Sequence, residues 1–207
     1  MGQTVACANQ KGGVGKTTTV VNLGSYLALA GDRVLVVDLD PQGNATSGLG
    51  IDRATIDRSV YQAVIDGVPL ADLTQPGPLP DLDVVPSTVS LAGAEIELAP
   101  AEGRERRLRR LLDAVVDQYD YVLIDCPPNL GLLTVNGLVA ANSVIIPVQT
   151  QYYAMKGLNN LVKVINMIRM KLNRQLRILG LLPTFYDSRT NLARDMLDEL
   201  RLSLIHI

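Results

Sequence analysis

The sequence predicts an α/β fold of three layers, in which a mostly parallel central sheet is covered by helices on both faces. Short apolar segments alternate along the chain with longer segments of helical periodicity, which is the pattern of such folds. The apolar segments are nearly continuous, as in strands that are buried on both faces. The 207 residues include no Trp and one Phe, so the core must be aliphatic.

Each strand is predicted from a short run rich in Val, Leu and Ile. The predicted strands are Thr4–Ala8, Arg33–Asp38, Leu82–Pro86, Tyr121–Asp125, Ser143–Val148 and Leu176–Thr184. Between them apolar residues recur at a spacing near 3.6, which predicts helices. The predicted helices are Thr17–Ala30, Ser59–Ile65, Glu105–Gln118, Leu130–Ala141, Ala154–Leu172 and Asn191–Leu202. The prolines and glycine of Gln75–Pro80 predict a loop.

Charge is distributed unevenly along the chain. Residues 1–150 carry ten basic and 17 acidic side chains, whereas residues 151–207 carry nine basic and four acidic ones. The basic final segment either attracts phosphates or belongs to ordinary solvated helix faces, and charge alone leaves both interpretations open.

The cysteines, the apolar runs and the first residues predict the compartment in which the protein functions. Cys7 and Cys126 lie far apart and outside any metal spacing, which favours a reduced cytoplasmic protein. No run of about 18 apolar residues is present, so no membrane span is predicted. The first residues lack the basic region of a signal peptide.

The most specific motif follows the first predicted strand and opens the first predicted helix. Its glycines allow successive backbone N–H groups to face phosphate oxygens, and the helix N-terminus adds a partial positive charge. Lys16 is predicted to reach the β- and γ-phosphates, and the Thr17 hydroxyl to bind Mg²⁺. The predicted nucleotide-binding residues are Gly12, Gly13, Val14, Gly15, Lys16, Thr17 and Thr18.

This motif departs from the standard P-loop pattern at one position and carries an additional lysine. Gln10 stands where the pattern has its first glycine, and a second lysine, Lys11, stands at the mouth of the loop. Because Lys16 serves its own nucleotide, Lys11 is predicted to have a second role.

Two acidic motifs end predicted strands, where ligands bind in open parallel sheets. The first contains Asp38 and Asp40, and the second ends in Asp125 after four apolar residues, which is the Walker B pattern. A carboxylate at this position holds Mg²⁺, commonly through water or the threonine hydroxyl.

The motifs together resemble the ParA/Soj family of chromosome- and plasmid-partitioning ATPases over residues 1–200. The segments that carry the resemblance are Lys11–Thr18, Asp38–Gly50, Leu91–Leu98, Asp120–Pro128 and Asp187–Leu192. The resemblance implies a Mg²⁺- and ATP-dependent switch that forms an ATP-dependent homodimer, binds DNA without sequence preference and is stimulated by a ParB-type partner. It also implies a cytoplasmic protein that associates with the nucleoid when ATP is bound, without stable membrane association.

The resemblance assigns roles to individual residues. Lys11 matches the signature lysine that reaches the partner subunit's nucleotide, and Gly12 a position where the two loops approach each other. Asp40 matches the residue that positions or activates the attacking water, so the predicted catalytic residues are Lys11, Lys16 and Asp40. The predicted magnesium site comprises Thr17, Asp40 and Asp125, with Asp38 supporting it. Arg189 matches a DNA-contacting arginine, although a surface role at a helix start is its alternative.

Three further expectations concern the rest of the chain. The arginines at positions 104, 106, 107, 109 and 110 are interpreted as a solvated helix face, with an accessory DNA or partner surface as the alternative. We expect a single domain over residues 1–207. The resemblance ends near Arg201, so residues 202–207 are expected to be a non-native tail, with the family's C-terminal portion missing.

Two other functions share this type of motif. A MinD-like membrane-cycling ATPase that places the division site would need a basic amphipathic C-terminal helix, and the Asp38–Gly50 and Asp187–Leu192 segments favour partitioning instead. A nitrogenase-reductase-like electron carrier needs paired cysteines around an iron–sulfur cluster, and only Cys126 lies near the required region.

Overall fold

A computed structural model describes residues 2–150, 154–190, 194, 195, 197 and 198. A central sheet runs through the described chain with strand order β3-β4-β2-β5-β1-β6-β7. Its strands are β1 (Gln3–Cys7), β2 (Val34–Asp38), β3 (Gln75–Pro76), β4 (Leu82–Val85), β5 (Tyr121–Asp125), β6 (Ser143–Gln149) and β7 (Arg177–Thr184). Neighbouring strands pair in parallel except β3, which is antiparallel to β4. The predicted mostly parallel sheet is confirmed.

Helices cover both faces of this sheet. They are α1 (Lys16–Leu29), α2 (Asn44–Gly48), α3 (Val60–Asp66), α4 (Ala94–Leu98), α5 (Arg107–Leu112), α6 (Leu132–Ala140) and α7 (Ala154–Lys171). Successive strand residues face opposite sides, so Val34 and Val36 pack with α1 and α2, whereas Leu35 and Val37 pack with the remaining helices. The predicted three-layer architecture is therefore confirmed.

The helix predicted over Glu105–Gln118 is wrong in extent. The α-helix covers only Arg107–Leu112, and short 3₁₀ segments occupy Arg104–Arg106 and Val116–Gln118. The consecutive β-branched residues after Ala114 disfavour helix, and Val115 is 7% exposed, buried where the chain turns toward β5.

Short elements were not apparent in the sequence. The predicted loop at Gln75–Pro80 begins with β3, whose proline is tolerated because the strand lies at the sheet edge. Helices α2 and α4 have five residues each, too few to show a helical period.

The helix predicted over Asn191–Leu202 lies mostly outside the described residues, as do residues 202–207. Within the described residues, no helix combines the length and apolar character needed to cross a membrane.

Candidate functional site

The loop between β1 and α1 has the backbone that a phosphate cradle requires. Gly13 and Gly15 have φ angles of +70° and +93°, a region that residues with a Cβ rarely adopt. Helix α1 begins at Lys16, immediately after this loop. The loop therefore presents backbone N–H groups and a helix N-terminus to the same space.

This space is an open cleft of about 290 Å³ at the carboxyl end of the sheet. Most of the predicted nucleotide-binding residues line it, namely Gly12, Gly13, Gly15, Lys16, Thr17 and Thr18. Val14 differs, because its side chain is 1% exposed and packs inside, while its carbonyl accepts a 2.9 Å hydrogen bond from Thr184 Oγ1. Asp40 also lines the cleft.

Lys16 is a nearly buried cation. Only 6% of the residue is exposed, and its Nζ donates to the Lys11 carbonyl at 3.3 Å. The ammonium group therefore lies inside the curve of the loop, where an anion entering the cleft would meet it.

Thr17 and Asp125 meet across the sheet. Strand β5 pairs with β1, which brings Asp125 next to the loop that leaves β1. Thr17 Oγ1 donates to Asp125 Oδ2 at 2.7 Å. The second carboxylate oxygen, Oδ1, is buried without a hydrogen-bond partner. A buried orphan oxygen next to a hydroxyl fits Mg²⁺, which takes oxygen ligands and is commonly shared with substrate phosphates.

Asp38 and Asp40 have different surroundings although only Leu39 lies between them. Asp38 is fully buried, and its carboxylate accepts hydrogen bonds from the Asp40 N–H at 3.0 Å and from the backbone and hydroxyl of Thr46 at 2.8 and 2.7 Å. Asp38 therefore shapes the loop that carries Asp40. Asp40 lines the cleft, with Oδ1 accepting the Gln42 N–H at 2.9 Å.

The buried carboxyls bind protons more tightly than exposed ones. Burial, followed by the nearby carboxyl of Asp38, raises the pKa of Asp125 to about 7, although the hydrogen bond from Thr17 acts in the opposite direction. Burial likewise raises the pKa of Asp38 to about 6, against the hydrogen bonds from Thr46. Desolvation favours the neutral acid in both cases.

We expect Mg²⁺ affinity to increase with pH. Because the Asp125 pKa is raised, this carboxyl holds a proton below about pH 7, and a cation must displace that proton. With ADP held constant, the Mg²⁺ dissociation constant should fall about tenfold from pH 6 to pH 8. Calorimetric titration in buffers of different ionisation enthalpy would measure both affinity and proton release.

The Asp125→Asn variant is the matched control, because any remaining pH dependence then belongs to the nucleotide. Equal pH dependence in the variant and the native chain would show that Asp125 does not couple protons to the metal.

Lys11 lies at the exposed mouth of the loop. Its Nζ donates to Gln149 Oε1 at 2.6 Å, and its backbone N–H donates to Asn9 Oδ1 at 3.0 Å. The two lysines of one loop thus occupy different environments, Lys16 inside the cradle and Lys11 at its rim.

Several residues that were not among the predicted nucleotide-binding residues also lie around the cleft. Gln42, Asn44, Pro128 and Phe185 line it. They lie just after the carboxyl ends of strands β2, β5 and β7. Because ligands bind at these ends in open parallel sheets, that position could have indicated them from the sequence.

Arg189 is exposed on the loop after β7. Its guanidinium forms a two-point ion pair with Asp187, at 2.9 Å to Oδ1 and 2.8 Å to Oδ2. Of the side chain, 87% remains exposed. Arg189 does not line the cleft described above, so any role it has in binding concerns another surface.

Fold and site together define a P-loop nucleotide-binding protein: a strand, a glycine loop whose lysine and threonine face a cleft, a helix, and a buried aspartate on the adjacent strand. The AAA domain family matches residues 2–178. The sporulation initiation inhibitor protein Soj of Bacillus subtilis is 53% identical over 201 residues, which are 97% of this chain and 79% of Soj. The chromosome partitioning protein ParA of Myxococcus xanthus is 49% identical over 201 residues, 97% of this chain and 71% of ParA. The chain belongs to the Soj/ParA family of chromosome-partitioning ATPases.

A solved structure agrees with the architecture. Cobyrinic acid a,c-diamide synthase from Mycobacterium smegmatis, with bound ADP and magnesium, superposes with a TM-score of 0.93 at 42% identity, covering 97% of this chain and 82% of that one. A related protein of the same fold therefore holds a nucleotide and magnesium.

Proposed function

We propose that this protein is a Mg²⁺-dependent ATPase that dimerises on ATP, binds DNA without sequence preference and drives chromosome or plasmid partitioning with a ParB-type partner. The observation that carries the proposal is the pair of lysines on one loop, Lys16 buried inside it and Lys11 exposed at its rim. The identities to Soj and ParA support the same function.

In this proposal the loop N–H groups and the Lys16 ammonium bind the β- and γ-phosphates. Thr17 and Asp125 hold the magnesium site, with Asp40 at its edge. Bound Mg²⁺ supplies positive charge that stabilises the charge developing on the transferred phosphoryl group. Asp40, at the cleft surface, orients the attacking water and accepts its proton.

In this proposal the second lysine makes the nucleotide site one that two copies of the chain share. Because Lys11 lies outside its own cradle, we propose that its ammonium reaches the nucleotide of a second copy, with the Gly12 segments of the two copies in close approach. Among the residues that the structure describes, the one nearest to an ideal Cβ built on Gly12 is Pro128, at 3.9 Å, so this part of the loop is uncrowded there. Hydrolysis would remove the γ-phosphate that both copies hold, so the dimer would separate after each turnover.

Arg189 is proposed to contact DNA phosphates. Its exposure leaves it accessible, and the basic final segment of the chain adds attraction for a polyanion. Phosphate contacts of this kind are independent of sequence and weaken with salt. We accordingly propose a cytoplasmic protein that associates with the nucleoid when ATP is bound, and not stably with membranes.

Removing this arginine should weaken DNA binding without affecting the ATP dimer. For Arg189→Ala we expect DNA affinity at low salt to fall roughly three- to tenfold, with a smaller salt dependence. Asp187→Asn should act oppositely, since the carboxylate no longer competes with phosphate for the guanidinium. Fluorescence anisotropy with a labelled duplex and ATP would measure both.

Arg174→Ala serves as the control. Arg174 is an exposed arginine that precedes β7, at the opposite end of this strand from Arg189. Unchanged DNA affinity in Arg189→Ala would remove Arg189 from the interface. Binding of the native chain to anionic vesicles with ATP, but not to DNA, would favour the MinD-like alternative.

A further inference from the structure

Phe185 is an exposed aromatic residue at the cleft. It is the single phenylalanine of the sequence, 70% of it is exposed, and it lines the cleft together with the glycine loop. A single exposed apolar residue is common on protein surfaces. This one, however, also has an unusual backbone conformation and a particular place relative to the phosphate loop.

The backbone of Phe185 has a conformation that its side chain does not favour. Its φ angle is +54°, in the left-handed region that residues with a Cβ rarely adopt. Its carbonyl accepts a 3.2 Å hydrogen bond from the hydroxyl of the buried residue Thr150, whose N–H donates to the Thr184 carbonyl at 3.3 Å. Strained backbone of this kind persists only where its surroundings hold it, and it is concentrated at ligand sites.

The preceding residue, Thr184, attaches the end of β7 to the phosphate loop. Its Oγ1 donates to the Val14 carbonyl at 2.9 Å, and its Cγ2 lies 3.5 Å from an ideal Cβ built on Gly15. These two loop residues come directly before Lys16 and helix α1. Because Phe185 is the next residue after Thr184, these contacts determine its place beside the loop.

The strand order gives the cleft two chemically different sides. The phosphate loop leaves β1, which lies between β5 and β6. Asp40 and Asp125 come from β2 and β5 on one side of β1, whereas Phe185 follows β7 on the other side. In the proposed function, magnesium and the terminal phosphates occupy the side of the two aspartates. The rest of the nucleotide then extends toward the side of β7, where the phenyl ring is exposed.

We propose that Phe185 is the platform on which the base of the bound nucleotide stacks. The inference rests on the proposed function, in which the loop and Lys16 bind the phosphates. Every base has a π face, so stacking contributes affinity with little discrimination between adenine and guanine. The phenyl ring carries no hydrogen-bonding group, so any preference for adenine comes from other residues.

Removing the ring should weaken nucleotide binding but not phosphate binding. For Phe185→Ala we expect the ADP dissociation constant to rise about tenfold, a usual effect of losing one stacked base. The dissociation constant of pyrophosphate, which has two phosphates and no base, should stay unchanged. Calorimetric titration of the whole chain with Mg²⁺ and each compound measures both. ADP lacks the γ-phosphate that dimerisation requires in the proposed function, so these titrations concern the monomer.

Two further variants separate the ring from the backbone. Phe185→Gly relieves the positive φ angle, so the melting temperature should not fall, whereas ADP affinity should fall as in Phe185→Ala. Phe185→Trp keeps a stacking face and should keep ADP affinity. Because the sequence contains no Trp, the fluorescence of this variant reports on position 185 alone. It should change on addition of ADP but not of pyrophosphate.

Tyr26→Ala is the matched control, because Tyr26 is an aromatic residue with an exposure of 71% near the C-terminal end of α1, whereas the cleft lies at the N-terminus of this helix. Its ADP affinity should equal that of the native chain. Native ADP affinity in both Phe185→Ala and Phe185→Gly would overturn the platform, as would an equal loss of affinity for ADP and pyrophosphate. A native chain that binds neither compound would instead contradict the proposed function of the phosphate loop.

Discussion

Lys16→Ala is expected to abolish nucleotide binding, with an ATP dissociation constant raised about 100-fold or more. The lysine is 6% exposed and its ammonium lies within the loop, so its bond to a phosphate would form away from bulk water. A charge-assisted contact in such a place contributes roughly 3 kcal/mol, which corresponds to about two orders of magnitude in affinity. Titration with a fluorescent ATP analogue would measure the change.

Folding should survive this substitution, because removing a buried cation also removes its desolvation cost. Thermal unfolding without nucleotide should therefore show a melting temperature no lower than that of the native chain, while stabilisation by ATP is lost. Lys171→Ala, at the exposed end of α7, carries the same charge change as a control. Native-like ATP affinity in Lys16→Ala would contradict a phosphate role for this lysine.

Asp40→Ala is expected to uncouple binding from turnover. Nucleotide affinity should change little, because in the proposed function the loop and Lys16 bind the phosphates, while Thr17 and Asp125 hold the magnesium site. Hydrolysis should fall by about 10² to 10⁴, the usual contribution of a general base. ATP-bound dimers should then accumulate, since the step that separates them is blocked. Single-turnover phosphate release, combined with sedimentation in ATP, would measure both effects.

Two comparisons make the Asp40 result specific. Asp40→Asn preserves shape and tests whether the negative charge itself is required. Asp66→Ala removes an exposed aspartate at the end of α3 and should leave turnover unchanged. Turnover at the native rate in Asp40→Ala would exclude this residue from catalysis.

The sequence predicted the long helices and strands that have a strong hydrophobic pattern. Its predictions failed where contacts between distant segments determine the local structure. The strands around the cleft were found because buried parallel strands are continuous apolar runs. The helix predicted through Gln118 was wrong beyond Leu112, because the chain must turn there to deliver β5 to the sheet. The short helices α2 and α4 left no pattern of their own.

Within the site, only the family resemblance separated the role expected of Asp40, in catalysis, from the supporting role expected of Asp38. Asp38 is the last residue of β2 and Asp40 lies just beyond it, and both are carboxylates at the carboxyl end of the strand. Only the structure shows that the bonds from Thr46 commit Asp38 to shaping its loop, while Asp40 lines the cleft. The distinction depends on which donors form hydrogen bonds with each carboxylate, and the fold of the loop places those donors.

By itself the sequence determined the phosphate loop, because its glycines, its lysine, its threonine and the helix that follows are contiguous, and local backbone geometry brings them together. It also identified Lys11 as an addition to the standard loop. The tertiary structure alone decided the contacts between distant segments, Thr17 with Asp125 and Lys11 with Gln149, 108 and 138 residues apart. These pairs exist because β1 lies between β5 and β6 in the sheet, and that strand order results from the packing of the whole chain, which no local motif specifies.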